Sequence, residues 1–363
     1  MKGRAMLRFL ITVILLAAAA WAGYWFVGST GVQSGFATWF DQRRTEGWVA
    51  DYSALDVQGF PNRFDTVVTG LTLADPDTGL AWDAPQFQIN ALSYRPNHVI
   101  AVWPETQRLA TPLAKYDLQS QDMRASLVLD PNTSLTLQRT TLTAEELVIH
   151  PLDDSGDTSL NALRLAADHV PMQNLATYRL GLAADGLSPA LSWRETVDPS
   201  GRLPETFDAL NIDLTVEFDK PWDRTAIEDA RPQPRRIDIR LAEARWGRLE
   251  LQMAGEMSVD ASGHPEGEVM IKARNWRDIL DLAVNAGAMP QGMAGTVADG
   301  LGLISQMAGN PKTLDIPLTL RNGSVYLGPV PIGTKGALPP RPAASPPEYF
   351  RKDEDTPQRQ YGP

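Results

Sequence analysis

The sequence predicts a mainly β protein with few helices, in which one N-terminal transmembrane helix is followed by a large antiparallel sheet, curved or sandwich-like. Three observations predict this class. A long apolar run lies near the N-terminus, polar and apolar residues alternate in many later segments, and short turn sequences separate those segments. Alternation with a period of two is typical of strands with one solvated face, and short turns join antiparallel neighbours.

The apolar run covers residues 9–27 and is preceded by Lys2, Arg4 and Arg8. At about 1.5 Å per residue, a helix over this run is about 28 Å long, close to the thickness of the hydrocarbon core of a bilayer. Because the positive charges precede the span, we expect the N-terminus in the cytoplasm and the bulk of the chain on the far side. The sequence therefore predicts a single-pass membrane protein anchored through residues 9–27.

A cleaved signal peptide is the alternative interpretation of this run, because alanines within residues 18–22 offer small-residue cleavage patterns. Against cleavage, the apolar run continues to Val27, beyond any such site. Trp21, Tyr24 and Trp25 also resemble the aromatic belt of a membrane interface. We therefore expect a retained anchor.

Composition excludes several function classes for the rest of the chain. The formal net charge of −11 opposes binding to phosphate backbones, so we expect no nucleic-acid partner. The absence of cysteine excludes disulfides, cysteine-ligated metals and thiol nucleophiles. The exported part must therefore be stabilised by packing alone.

Strand patterns are frequent, and the clearest lies in residues 210–218, where Leu210, Ile212, Leu214 and Val216 face one way and polar residues face the other. Sustained alternation favours antiparallel over buried parallel sheet. About ten such strands are predicted. They cover residues 86–91, 123–129, 135–137, 163–167, 178–182, 210–218, 237–241, 249–253, 269–271 and 314–320.

Helices are predicted in three places outside the membrane: a juxtamembrane helix near residues 32–47 and two more near 275–286 and 296–308. Asn275 is predicted to cap the second, with Asp278 three residues later. These helices are too few to cover every apolar strand face. The sheet must therefore close on itself as a sandwich or barrel, or leave an apolar groove. The groove residues that we expect are Phe87, Ile89, Leu127, Leu129, Leu135 and Leu137.

Three regions follow from these patterns: a cytoplasmic tip and anchor at residues 1–28, a β-rich body at 29–333, and a proline-rich tail at 334–363. The tail is poor in apolar residues, so we expect it to be disordered. It offers a segment that a partner protein could bind.

Catalytic patterns are missing from the sequence. The four histidines, His98, His150, His169 and His264, lie far apart and form no metal-binding motif. No nucleophile elbow of the Gly-x-Ser-x-Gly kind is present. We expect no enzyme activity, no catalytic residue, no bound metal and no cofactor.

Three segments resemble one bacterial family. They are residues 59–65 (GFPNRFD), 91–104 (ALSYRPNHVIAVWP) and 322–333 (NGSVYLGPVPIG), and they are similar to the domain of unknown function 2125 family. The resemblance extends over most of the exported region and implies a Gram-negative envelope protein of the inner membrane, with the bulk of the chain in the periplasm. An anchor followed by a β-rich domain is also similar, more distantly, to AsmA-like envelope proteins, whose sheets form hydrophobic grooves.

These observations predict a non-enzymatic protein that handles lipid or supports envelope assembly through an apolar sheet groove. Its expected partners are the inner membrane, lipid and other envelope proteins. The alternative is an interaction scaffold that recruits envelope proteins through sheet edges or the proline-rich tail.

Overall fold

The computed structural model describes residues 2–153, 155–171, 176–228, 231–307, 310–328 and 330–334. Five helices and eighteen strands lie in these ranges. The helices are α1 (Lys2–Thr45), α2 (Leu191–Val197), α3 (Thr225–Glu228), α4 (Trp276–Asn285) and α5 (Gln291–Met307). The first nine strands are β1 (Val49–Asp51), β2 (Ala54–Gln58), β3 (Arg63–Asp75), β4 (Leu80–Leu92), β5 (Arg95–Val102), β6 (Thr106–Ala110), β7 (Lys115–Gln119), β8 (Asp122–Leu129) and β9 (Leu137–Pro151). The others are β10 (Thr158–His169), β11 (Thr177–Asp185), β12 (Ala209–Phe218), β13 (Pro234–Trp246), β14 (Leu249–Val259), β15 (Pro265–Arg274), β16 (Thr313–Arg321), β17 (Ser324–Leu327) and β18 (Val330–Thr334).

All eighteen strands belong to one antiparallel sheet, as the sequence predicted. From β8 to β18 each strand pairs with the next one along the chain. On the side of β8 away from β9, the sheet continues through β5, β4 and β3, each paired with the one before it. Both β1 and β2 pair with the other edge of β3. The short strands β6 and β7 extend the sheet between β4 and β9.

Nine of the ten predicted strands are present, and the strands beyond them are mostly short. The predicted strand at residues 135–137 is wrong, because Leu135 and Thr136 precede β9, which begins at Leu137 and continues to Pro151. The proline-rich tail predicted at residues 334–363 lies outside the described residues, apart from Thr334 at the end of β18.

The N-terminal apolar helix is longer than predicted. Residues 32–47 do not form a separate helix, because α1 runs without a break from Lys2 to Thr45. Gly28 and Gly31, although poor helix formers, lie within this continuous helix. Within the described residues, α1 is the one helix long and apolar enough to cross a membrane, a property that signal sequences share.

The two later helices differ from prediction at their N-terminal ends. Helix α5 begins at Gln291 rather than at 296, directly after Pro290, a residue type favoured at the start of helices. Asn275 does not cap α4 through its side chain. It adopts a left-handed conformation with φ of 56°, and its side-chain amide donates a hydrogen bond to the carbonyl of Arg248.

Among the described residues, the buried apolar side chains form four separate clusters instead of one central core. In each cluster the strand residues come from strands that are neighbours in the sheet. One cluster joins β1–β4 to α1, and another joins β14–β17 to α4 and α5. Packing in these clusters thus joins neighbours within one layer, which favours the curved sheet over the sandwich.

Candidate functional site

One face of the sheet carries continuous rows of apolar side chains. Residues directly opposite each other on antiparallel strands point to the same face, so the registers of successive strand pairs define each row. One row contains one residue from each strand from β4 through β16, apart from β6 and β7, and all its members are apolar. They are Ile89, Ala101, Ala125, Leu142, Leu165, Leu182, Ile212, Ala242, Met253, Ile271 and Ile316.

A second apolar row lies beside the first. Its members are Met123, Ala144, Leu163, Ala184, Leu210, Ala244, Leu251, Ala273 and Leu314. We call the surface formed by these two rows the apolar face. With strands about 4.8 Å apart, the first row extends roughly 45–50 Å along the curve of the sheet.

The opposite face of the sheet is mainly polar. The row displaced by one residue from Ile89 has two apolar members, Val102 and Ala183. Its other members are Gln88, Arg124, Thr143, Arg164, Asn211, Glu243, Gln252, Lys272 and Asp315. Nearby, Asp213 lies between Arg179 and Arg240, with nitrogen–oxygen distances of 2.8 and 2.7 Å. Hydrogen bonds from Arg179 and then Arg240 lower the pKa of Asp213 to about 2. This is a solvated, salt-bridged surface, so only the apolar face needs a cover.

Helices cover the apolar face near its two ends. At one end α1 packs against β1–β3, and at the other α4 packs on β14 and α5 on β16. Between them, Leu142, Leu182 and Ile212 stay partly exposed, and 37% of Leu165 is accessible. In the same stretch Ala144 and Ala184 of the second row are buried. The middle of the first row therefore forms a partly exposed trough.

A cleft lies between α1 and the sheet at the start of this trough. Its volume is about 500 Å³, within the roughly 300–1,000 Å³ of typical ligand sites. Its lining is almost wholly apolar. It consists of Val32, Gly35, Phe36, Trp39, Phe40, Val68, Leu71, Leu73, Trp82, Phe87 and Ile89.

Aromatic rings connect the cleft to the rest of the apolar face. Trp82 and Phe87 meet edge to face at 5.1 Å between ring centroids, and Phe87 lies 5.3 Å from Trp103. The indole of Trp82 is held by a 2.8 Å hydrogen bond to Gln107, whose amide in turn contacts the sulfur of Met123. The cleft wall is therefore continuous with the second apolar row.

The groove residues expected from the sequence fall in different parts of this surface. Phe87 and Ile89 line the cleft. Leu127 and Leu129 follow Ala125 on β8 with the spacing of one face, and Leu129 pairs with Leu137 of β9. Leu135 lies in the turn before β9 with φ of 52° and is 39% exposed.

A strap borders one side of the trough beside Leu137. It is the described segment after β12, residues 219–228. The amide of Leu137 donates a 2.7 Å hydrogen bond to the carbonyl of Trp222, and the Tyr178 hydroxyl donates to the carbonyl of Leu137. Since β10 and β11 lie between β9 and β12, the strap crosses the ends of both strands. Tyr178 is buried beneath it, and burial raises the pKa of its phenol.

The histidines do not come together. His98 contacts the hydroxyl of Ser126 at 3.0 Å, His150 contacts Asp157, and His264 lies near Asp260. His169 packs on the ring of Tyr178. Within the part of the chain that the structure describes, no group of three or more potential ligand side chains could hold a metal ion.

The cleft was missed by reasoning from the sequence, which identified Phe87 and Ile89 but not their partners on α1. Phe36, Trp39 and Phe40 recur at helical spacing, which indicates an apolar helix face. This pattern in the sequence could have indicated that the helix contributes to an apolar site. It does not indicate which strands the apolar helix face covers.

Comparison with known proteins identifies the family. A family model described as "Uncharacterized protein conserved in bacteria (DUF2125)" matches residues 25–335. No curated protein and no solved structure matches the chain, so the architectural likeness to AsmA-like proteins stays an expectation. The matched region contains the cleft, the apolar face and the strap. The chain therefore belongs to the DUF2125 family of bacterial proteins.

Proposed function

We propose that this protein is a non-enzymatic, inner-membrane-anchored periplasmic protein that holds the acyl chains of lipids on its apolar face, in the service of envelope assembly. The observation that carries the proposal is the partly exposed middle of the first apolar row, where 37% of Leu165 is accessible. Soluble monomers rarely expose contiguous apolar patches larger than a few hundred Å², and larger ones mark sites that bind apolar partners. The methylene groups of acyl chains have the chemistry to cover part of such a row.

The position of the cleft supports lipid over other apolar ligands. One wall is the continuation of the helix that carries the apolar run, so the cleft begins only a few residues after the predicted membrane span. Moving one methylene of an acyl chain from an apolar environment into water costs about 0.8 kcal/mol. A chain that passes from the bilayer beside α1 directly into the cleft avoids this cost, because it exchanges one apolar environment for another.

The proposal is tested by photo-crosslinking in cells grown with an alkyne-bearing fatty acid. A benzophenone side chain replaces Leu182 on the apolar face or, as the matched control, Ala183, its neighbour on the polar face. We expect lipid adducts at position 182 and none at 183. Equal labelling at both positions, or none at 182, would contradict lipid binding. Adducts only to another protein at 182 would support the alternative, an envelope scaffold.

A further inference from the structure

We propose a second membrane contact: the end of the sheet formed by the turns at residues 59–62 and 93–94 sits in the lipid interface of the leaflet where α1 leaves the membrane. The contact would be made by Phe60 and Tyr94. It requires only that α1 spans the bilayer, and it stands whether or not the apolar face holds lipid.

The first step is the level at which the sheet is attached to α1. The indole of Trp21 donates a 2.9 Å hydrogen bond to the carbonyl of Pro61, and the indole of Trp25 donates one of 2.7 Å to Arg63. The hydroxyl of Tyr24 donates a 2.6 Å hydrogen bond to Ser93. These bonds fix both turns beside residues 21–25 of the helix.

The second step is where residues 21–25 lie relative to the bilayer. A span needs about 20 residues. The earliest span that leaves out Arg4 begins at Ala5 and ends, 20 residues later, at about Tyr24. A span that also leaves out Arg8 covers residues 9–27 and ends later still. In either case the two turns lie at the far boundary of the hydrocarbon, or inside it.

The third step is the chemistry of the two turns. Phe60 is 55% exposed and rests on the rings of Trp25 and Phe26, at 5.4 and 5.9 Å between ring centroids. Tyr94 is 58% exposed, and Arg95 beside it is exposed as well. Aromatic rings prefer the membrane interface, and a guanidinium can meet lipid phosphates there. The exposed rings thus lie where lipid would cover them.

The consequence is that the sheet cannot swing freely on its anchor. Hydrogen bonds to two turns and two apolar side chains in the interface hold this end of the sheet against the leaflet. The cleft begins at Val32, about 12 Å further along α1 than Tyr24. It therefore opens close to the lipid surface.

The test uses the full-length protein, which has no native cysteine. Single cysteines replace Phe60, Tyr94, Leu16 or Leu113, and each is labelled with the fluorophore NBD. The variants are placed in phosphatidylethanolamine and phosphatidylglycerol nanodiscs that contain a lipid with a nitroxide at acyl carbon 5. Leu16 reports the span itself. Leu113 is the matched control, because it is 96% exposed and lies in the turn near the opposite end of β4.

We expect blue-shifted emission and several-fold stronger nitroxide quenching at positions 60 and 94 than at 113. Tyr94→Cys keeps the test informative if Phe60→Cys alone disturbs the fold. Quenching at position 94 no stronger than at 113 would overturn the proposal, as would loss of quenching at position 16. Lipid crosslinking at position 182 is independent of either result.

Discussion

Gly28 of α1 lies against the ring of Phe64 of β3 so closely that a Cβ atom at position 28 would be 2.6 Å from the ring Cζ. Phe64 is buried, with 6% of its surface exposed. The contact lies where α1 leaves the apolar run and meets the sheet. It requires a residue without a side chain at this point of the helix.

We predict that Gly28→Leu destabilises the protein by about 1–3 kcal/mol, because the added side chain forces the helix away from the sheet. Gly31→Leu is the control, since nothing lies within 4 Å of a Cβ at that position. Leucine also favours helix over glycine by up to about 1 kcal/mol, so the control should be neutral or stabilising. Thermal unfolding followed by tryptophan fluorescence measures both. Equal effects would show that the contact is not tight.

A comparison of two leucines on the same face tests whether the trough is uncovered. Leu314 is packed beneath α5 and is 5% exposed, whereas 37% of Leu165 is accessible. We predict that Leu314→Ala costs about 2–5 kcal/mol, as for other buried leucines. Leu165→Ala should cost less than about 1 kcal/mol. Denaturant unfolding of both variants provides the measurement, and a large loss at Leu165 would indicate a second layer over the trough.

The ion pairs of Asp213 predict a pH dependence. Its folded-state pKa of about 2 lies below the ordinary value of 3.8, so its pairing stabilises the protein fully above about pH 4 and is lost as the pH falls toward 2. We predict that Asp213→Asn lowers stability at pH 6 by no more than about 1 kcal/mol, because the group is partly exposed. Melting temperatures at pH 6, 4 and 2.5 should converge for the two proteins. A constant difference would refute the assignment.

Strand alternation was enough to predict the sheet, because a half-buried strand must place apolar residues at every second position. The failures have local causes. The pair Leu135 and Leu137 has strand spacing, but the backbone turns at Leu135. The helix predicted separately at residues 32–47 is part of α1, in which the small size of Gly28 allows the contact with Phe64.

The candidate site was harder to predict than the fold. Periodicity states which residues share a face but not what covers that face, so trough and sandwich were equally consistent with the pattern. The cleft is lined by side chains of α1 and of strands more than 25 residues later, such as Trp39 and Trp82. Such contacts are set by the docking angle of the helix, which no local pattern encodes.

Native mass spectrometry of the full-length protein, released from detergent micelles, is the most direct test of lipid binding on the apolar face. Leu182 and Ile212 are paired on that face, and Ala183 and Asn211 are paired on the polar face of the same strands. We predict that the wild type retains phospholipid, that Leu182→Ser with Ile212→Ser loses most of it, and that Ala183→Ser with Asn211→Ser does not. Equal lipid retention by all three folded proteins would contradict lipid binding in the trough.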